Sequence, residues 1–284
     1  MKVIKLVECP RDAMQGWKAF IPTMDKVAYI SQLLKVGFDT LDFGSFVSSK
    51  NIPQMADTKE VIPHLDLQNT DTKLLAIIAN TRGAEEAAGF DQIHYLGFPF
   101  SISPTFQKRN TNSSIKESFQ TVISMKNICD KNKKEPVVYI SMAFGNPYHD
   151  EYNEDIILNW ITKLAGEGIA IISLADTIGV ANPSQIASLA KFVTTSFPAI
   201  ETGVHLHSTG ADWKEKIDAA LQNGCMRFDG ALKGVGGCPM AEDKLVGNMN
   251  SELMIPYFKE LGVLRNINEE ELRKAVTMAS KIFA

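Results

Sequence analysis

A chain of 284 residues, 45% hydrophobic and 22% charged, has the make-up of an ordinary globular protein, large enough to bury a core without disulfide staples. Its net charge of −4 argues against nucleic acid as the main partner, and no run stays apolar long enough to span a membrane. Its four cysteines, Cys9, Cys129, Cys225 and Cys238, lack the close spacing of a zinc ribbon or redox motif, and the opening residues reach charge and a turn too early for a secretory signal, so free thiols in a reducing cytoplasm are expected.

Short β-rich runs alternate with helical stretches from one end to the other. VIKLV (residues 3–7) predicts a first strand, and residues 24–34 carry the period of a helix. FDTLDF, from Phe38, is the second strand; KLLAIIA, from Lys73, is the third, with a short helix around GAEEAA behind it. DQIHYLGF is the fourth. The long stretch SSIKESFQTVISMKNICDK then has helical periodicity, with Ser113 or Ser114 as its N-cap. EPVVYISM, IAIISLAD, TGVHLH and CMRFDG are the fifth to eighth strands. Their helices are NEDIILNWITKLAGEG, NPSQIASLAKFV with a Pro near its start, DWKEKIDAALQNG and SELMIPYFKELG. NEEELRKAVTMASKIFA supplies one further helix.

Strict alternation demands parallel strands with right-handed crossovers, and eight such units close naturally into a (β/α)8 TIM barrel. A doubly wound open sheet is the alternative, but no GxGxxG follows the first strand. No linker or low-complexity segment interrupts residues 1–284, so a single catalytic barrel domain with an extra C-terminal helix is expected. In that fold the chemistry belongs at the C-terminal ends of the strands and in the loops behind them.

VHLHSTG puts His205 and His207, two of five histidines, at i and i+2 on one face of a strand end. They either converge on one cation or are two hydrogen-bonded histidines at a polar barrel mouth, and the pattern alone serves both. A hard cation also wants oxygen ligands. ECPRDAMQ after the first strand offers Glu8, Arg11, Asp12 and Gln15, in what reads as a turn with solvated charges or as part of an active site. Asp42 lies near the end of the second strand, where a lone carboxylate is costly to bury, and Asp176 and Thr177 lie near the end of the sixth. A long connection after the eighth strand holds Gly230, Gly234, Gly236, Gly237 and Gly247, with Cys238 directly behind a Gly-Gly pair and Asn248 just beyond. Long glycine-rich barrel loops act as lids, and a thiol on one can serve as acid or nucleophile. His64, His94 and His149 fall in no comparable cluster.

PRDAMQ, LDFGSFVS, ISLADTIGVANP, VHLHSTG, GVGGCP and the Gly-Asn pair at 247–248 occur in this order over nearly the whole chain. Together they resemble the hydroxymethylglutaryl-CoA lyases, within the wider group of metal-dependent barrel lyases and condensing enzymes; SFVSSKNIPQMAD is similar to a segment typical of the lyases. The resemblance implies a divalent cation, Mg2+ or Mn2+, held by Asp12, His205, His207 and Asn248. It implies a catalytic Arg at Arg11, a loop thiol at Cys238, and His205 or Asp12 as base. Substrate contacts fall on Gln15, Asp42, Asp176 with Thr177, and Glu252, and Lys18 takes the position of a Lys at the CoA end. The implied reaction cleaves 3-hydroxy-3-methylglutaryl-CoA, or a similar 3-hydroxyacyl-CoA, to acetyl-CoA and acetoacetate. That is the chemistry of leucine catabolism and ketone-body formation, here expected in a cytoplasmic homodimer.

The sequence departs from that pattern. Cys9, Ala13 and Met14 stand where the family has Gly, Gly and Leu, which is expected to reshape the turn. Asp42 replaces a Glu, Ser208 replaces an acid, and the spacing from Cys238 to Asn248 is one residue longer. Two rival readings follow: a Claisen-type condensing enzyme of the isopropylmalate or homocitrate synthase kind, and a non-catalytic barrel that binds an acyl-CoA.

Overall fold

Eight parallel strands pair in chain order and close on themselves in the computed structural model, which describes residues 3–208, 210–237, 246–264 and 267–284. The strands are β1 (Lys5–Glu8), β2 (Thr40–Ser45), β3 (Lys73–Ile77), β4 (Ile93–Ser101), β5 (Glu135–Ser141), β6 (Ile171–Ala175), β7 (Glu201–His205) and β8 (Arg227–Gly230). Closure is made by β1 against β8, from Lys5 opposite Arg227 to Glu8 opposite Gly230. The fold is the (β/α)8 barrel that the alternating elements predict.

The strands are largely buried on both faces, and β3 to β6 read as near-continuous apolar runs. Alternate residues divide between two cores. On β5, Val138 and Ile140 join the large core between barrel and helices, while Val137 and Tyr139 join an interior cluster with Leu75, Ile77, Tyr95 and Ile171. The opposite side of the interior is polar. Arg227, fully buried, donates to Glu201 at 3.2 Å, and Lys5 reaches the same carboxylate at 2.5 Å. Gly203 on β7 makes room for this: a Cβ there would lie 3.1–3.2 Å from three carbons of the Arg227 side chain.

The helices are α1 (Pro10–Gln15), α2 (Thr23–Leu34), α3 (Thr58–Val61), α4 (Thr81–Ala88), α5 (Pro104–Thr111), α6 (Ile115–Lys131), α7 (Glu154–Gly166), α8 (Pro183–Ser196), α9 (Trp213–Gln222), α10 (Ser251–Glu260) and α11 (Glu269–Ile282). Ser114, not Ser113, caps α6, in a reciprocal pair with Glu117. The expected C-terminal helix is α11. It packs on α2, where Asn268 N–H donates to the Val36 carbonyl at 2.9 Å and Gln32 bonds Glu271. Among the described residues no helix is long and apolar enough to cross a membrane.

Three pieces differ from the sequence expectation. PRDAMQ is the short helix α1 rather than a turn, with Pro10 in its first turn and Arg11 to Met14 buried. Residues 53–64 hold α3 between two 3-10 turns, and α5 follows β4 behind a Ser103 cap with Pro104 at its start. Such pieces of three to eight residues are too short to show a helical period.

Candidate active site

The C-terminal mouth of the barrel opens into a cavity of about 370 Å³, lined by Arg11, Asp12, Gln15, Thr177, His205 and His207 on its polar side and by Ile77, Pro99, Phe106 and Tyr139 on its apolar side. The polar side begins at α1. Because α1 starts directly where β1 ends, its first turn projects Arg11 and Asp12 over the barrel axis, and Gln15 falls one turn on. Arg11 Nε donates to both oxygens of Asp42 at 3.1 Å, and its Nη2 closes a forked pair on Oδ2. Its Nη1 donates to Asp12 Oδ1 at 3.0 Å and to Gln15 Oε1 at 2.9 Å, and Gln15 Nε2 donates to Asp12 Oδ1 at 2.7 Å.

These bonds fix charge states. Burial works against the Arg11 cation, but the Asp42 and Asp12 charges outweigh it and hold Arg11 above its ordinary range. Burial lifts the Asp42 carboxyl to about 6 against the pull of Arg11, leaving it ionised at neutral pH inside the fork. Burial also opposes the Asp12 charge, yet Arg11, His205, Asn248 and His207 bring it down to about 2. The cavity therefore presents an ionised Asp12 beside an obligatory guanidinium.

His205 ends β7, and His207 lies two residues on, with ring centroids 5.3 Å apart. The chain returning from the eighth strand runs beside this extension. His207 and Asn248 pair as an antiparallel bridge, and Met249 N–H donates to the Leu206 carbonyl at 3.2 Å. Asn248 thereby reaches Asp12, donating from Nδ2 to Asp12 Oδ2 at 2.7 Å and to the Val235 carbonyl at 2.9 Å. His207 Nδ1 lies 2.8 Å from the Val246 carbonyl, an acceptor, so Nδ1 carries the proton and Nε2 keeps its lone pair. Burial and the neighbouring His205 hold His207 below its ordinary value. For His205 burial also lowers, but the Asp229 carboxylate, 3.1 Å from Nδ1, and Asp12 more than reverse it, so the net shift is upward.

Of the expected ligand set, Asp12, His205 and His207 line the cavity, and Asn248 adjoins it through its bond to Asp12. The set offers an ionised carboxylate, imidazole nitrogens and an amide, donors that suit a hard or borderline divalent cation. The backbone leaves space in the same place. Gly236, at φ +117°, is where an added Cβ would lie 2.3 Å from Asn248 Nδ2 and 3.0 Å from Asp12 Oδ2. The residues fit a cation. A second grouping, Cys9, His205 and Asp229, brings its ligand atoms within 4.8 Å of one another. Burial and the charges of Asp229, Asp42, Asp12 and Glu8 push the Cys9 thiol well above its ordinary range, so it is a neutral thiol there.

Other expected residues are distributed differently. Thr177 lines the cavity and accepts from Met142 N–H at 2.8 Å. Asp176 is turned behind it, accepting from Ala181 N–H at 3.0 Å and from buried Lys216 at 3.3 Å. Glu252 sits in the first turn of α10, accepts from Lys233 N–H at 3.0 Å and is absent from the cavity lining. Lys18 is exposed, next to Gly16 and Trp17 of the rim. Ser208 bonds Asp212 at 2.8 Å and faces a separate pocket with Trp213, Lys233 and Asn248. Cys238 lies outside the described residues. Cys9 has φ −115° and Ala13 is helical, so neither position needs glycine's freedom.

Sequence reasoning did not single out Asp229, Tyr139 or the α5 residues Phe106, Asn110 and Thr111, which also face or underlie the cavity. Asp229 was within reach. Strand alternation sets it on the inner face of β8, beside the strand that carries His205.

The chain is 31% identical over 268 residues to a hydroxymethylglutaryl-CoA lyase of Bacillus subtilis, covering 94% of this chain and 88% of that protein. It is 34% identical over 278 residues to a 3-hydroxy-3-methylglutaryl-CoA lyase of Mus musculus described as cytoplasmic, covering 96% and 79%. An HMG-CoA lyase from Acinetobacter baumannii, solved in complex with coenzyme A and 3-methylmalate, superposes with a TM-score of 0.91 at 28% identity, covering 99% of this chain and 91% of that one. The HMGL-like family pattern matches residues 4–278, and on that extent of agreement in sequence and fold the chain belongs to the HMGL-like family.

Proposed function

We propose that this protein is a divalent-cation-dependent carbon–carbon lyase that cleaves 3-hydroxy-3-methylglutaryl-CoA to acetyl-CoA and acetoacetate. The observation that carries the reading is the guanidinium of Arg11, forked on Asp42 and set in one cavity with Asp12, His205 and His207. Relatives that match nearly the whole chain carry that activity in their names. A bound cation, Mg2+ or Mn2+, acidifies a hydroxyl and polarises an adjacent oxygen. Asp12, His207 and Asn248, with His205, are the residues that would hold it.

The chain's own groups then divide the work. Asp12, brought down to about 2, is too weak a base to take the tertiary hydroxyl proton. His205, raised in basicity, is the better acceptor; its Nε2 offers one lone pair, so Asp12, His207 and Asn248 would hold the ion where His205 serves as the base. The carbon–carbon bond breaks, the hydroxyl carbon becomes the ketone of acetoacetate, and the electron pair passes to the acetyl thioester as an enolate. Arg11 stabilises that negative charge. A proton from Cys238 completes acetyl-CoA. The wall of Ile77, Pro99 and Tyr139 keeps water from the apolar part of the acyl chain.

The test supplies purified protein with Mn2+ or Mg2+ and the thioester. Acetoacetate should appear, Arg11→Met should lower kcat by about 10³-fold, on the order of losing one charge-stabilising group, and Cys238→Ser should slow the protonation step. Full activity of the Arg11 variant would remove its role. CoA release from acetyl-CoA and a 2-oxo acid, without thioester cleavage, would move the protein to the condensing enzymes. Light scattering and fractionation test the accompanying proposals of a homodimer and a cytoplasmic site of action, the latter resting on relatives such as the cytoplasmic mouse protein.

A further inference from the structure

Asp229 has a side chain with 0% exposure, on the inner face of β8, in a position that solvent cannot serve. A carboxylate so enclosed is expensive, and a site that needed only filling would carry an apolar residue. Two neighbours make the charge tolerable. Arg227 lies two residues earlier on the same face, fully buried and attracted by the Asp229 charge; its Nε and Nη2 have no hydrogen-bond partner among the described residues. On the other side Oδ2 of Asp229 stands 3.1 Å from His205 Nδ1, while Oδ1 has no partner. The carboxylate can only accept, so this contact requires a proton on Nδ1. Nε2, across the ring on the cavity side, is then bare. Tyr139 meets the same imidazole edge-on, with centroids 6.0 Å apart, and limits its rotation.

We infer that Asp229 is a positioning residue for His205: it fixes both the orientation of the ring and the tautomer that leaves the Nε2 lone pair available to the cavity. The purpose of this device rests on the lyase reading, but the geometry does not. Without Asp229 the proton can settle on Nε2, and that tautomer has nothing to give a cation or a substrate hydroxyl. Outer carboxylates of this kind are worth about 10- to 100-fold in metal affinity.

The experiment compares the unsubstituted chain with Asp229→Asn and Asp229→Ala. Ring 15N shifts of His205, read in metal-free protein at a pH where the ring is neutral, should show the Nδ1–H tautomer in the native chain and a large Nε2–H fraction in Asp229→Ala. The dissociation constant for Mn2+, followed by electron paramagnetic resonance, should rise about tenfold or more in Asp229→Ala and less in Asp229→Asn, whose amide oxygen can still accept. A purely structural residue would shift the thermal midpoint and leave the tautomer alone. The inference is overturned if Asp229→Ala keeps the native tautomer, or binds Mn2+ within twofold of the native chain. If the native chain binds no Mn2+, the cation reading falls, and the tautomer by itself decides the role of Asp229.

Discussion

Glu8 is a fully buried acid that the reaction does not use. Its Oε1 accepts from Leu232 N–H at 2.7 Å and its Oε2 from Ser251 Oγ at 2.5 Å, tying β1 to the segments on either side of residues 238–245. Burial, against those two bonds, lifts its carboxyl from 4.5 to about 8. Between those values the folded chain holds a proton that the unfolded chain has lost, so stability must fall as pH rises through that window. The slope reaches about 1.4 kcal/mol per pH unit for one such group. Urea unfolding at several pH values should therefore show Glu8→Gln losing less stability than the native chain between pH 5 and 8; parallel curves would exclude Glu8 as the source. In sequence Glu8 stood beside Asp12 as an oxygen donor of ECPRDAMQ, and nothing there separates an acid tied to the backbone from one at the cavity. Asp12, His205, His207 and Asn248 were named through the resemblance to the lyases, since the i, i+2 spacing of the histidines alone serves a cation or two hydrogen-bonded rings alike. Asp176 and Glu252 carried the same kind of signal, and the structure spends both on bonds behind the cavity. Motif position gives the strand end; it does not give which way the side chain turns.

Among the elements, those with long apolar periods were the readable ones. All eight strands and the major helices lie where the alternation sets them, because strands buried on both faces and helices packed on a barrel leave an unmistakable pattern. The misread piece was α1, six residues long, opened by a proline and read as a turn. That helix decides the site, since only a helical 11–15 segment can put Arg11 and Gln15 on the same Asp12 oxygen. The return segment around Gly236 matters in the same way. Its φ of +117° and the 2.3 Å approach of an added Cβ to Asn248 mean that Gly236→Ala should displace the amide from Asp12. A loss of Mn2+ affinity of tenfold or more is expected, read by titration, with far-ultraviolet circular dichroism unchanged. Tight binding by the alanine variant would show that the segment yields without disturbing Asn248.

At the level of the whole molecule the fold rests on strand pairing and an apolar core. Strand pairing closes the ring, and the large core between barrel and helices contains no proposed ligand. Chelation should accordingly leave the chain folded, and Mn2+ should stabilise it only by mass action, by about 2.7 kcal/mol at 100 times its dissociation constant. Calorimetry with and without chelator measures this; unfolding on chelation would make the ion structural. The closure of β1 on β8 has one more consequence. Asp12 and Asn248 touch at 2.7 Å although 236 positions separate them. During synthesis the first of these leaves the ribosome long before the second exists. A nascent chain that ends between His207 and Asn248 holds Arg11, Asp12 and both histidines, yet it lacks the amide that donates to Asp12. The proposed cation site is therefore completed only after the last barrel strand, β8, has been made.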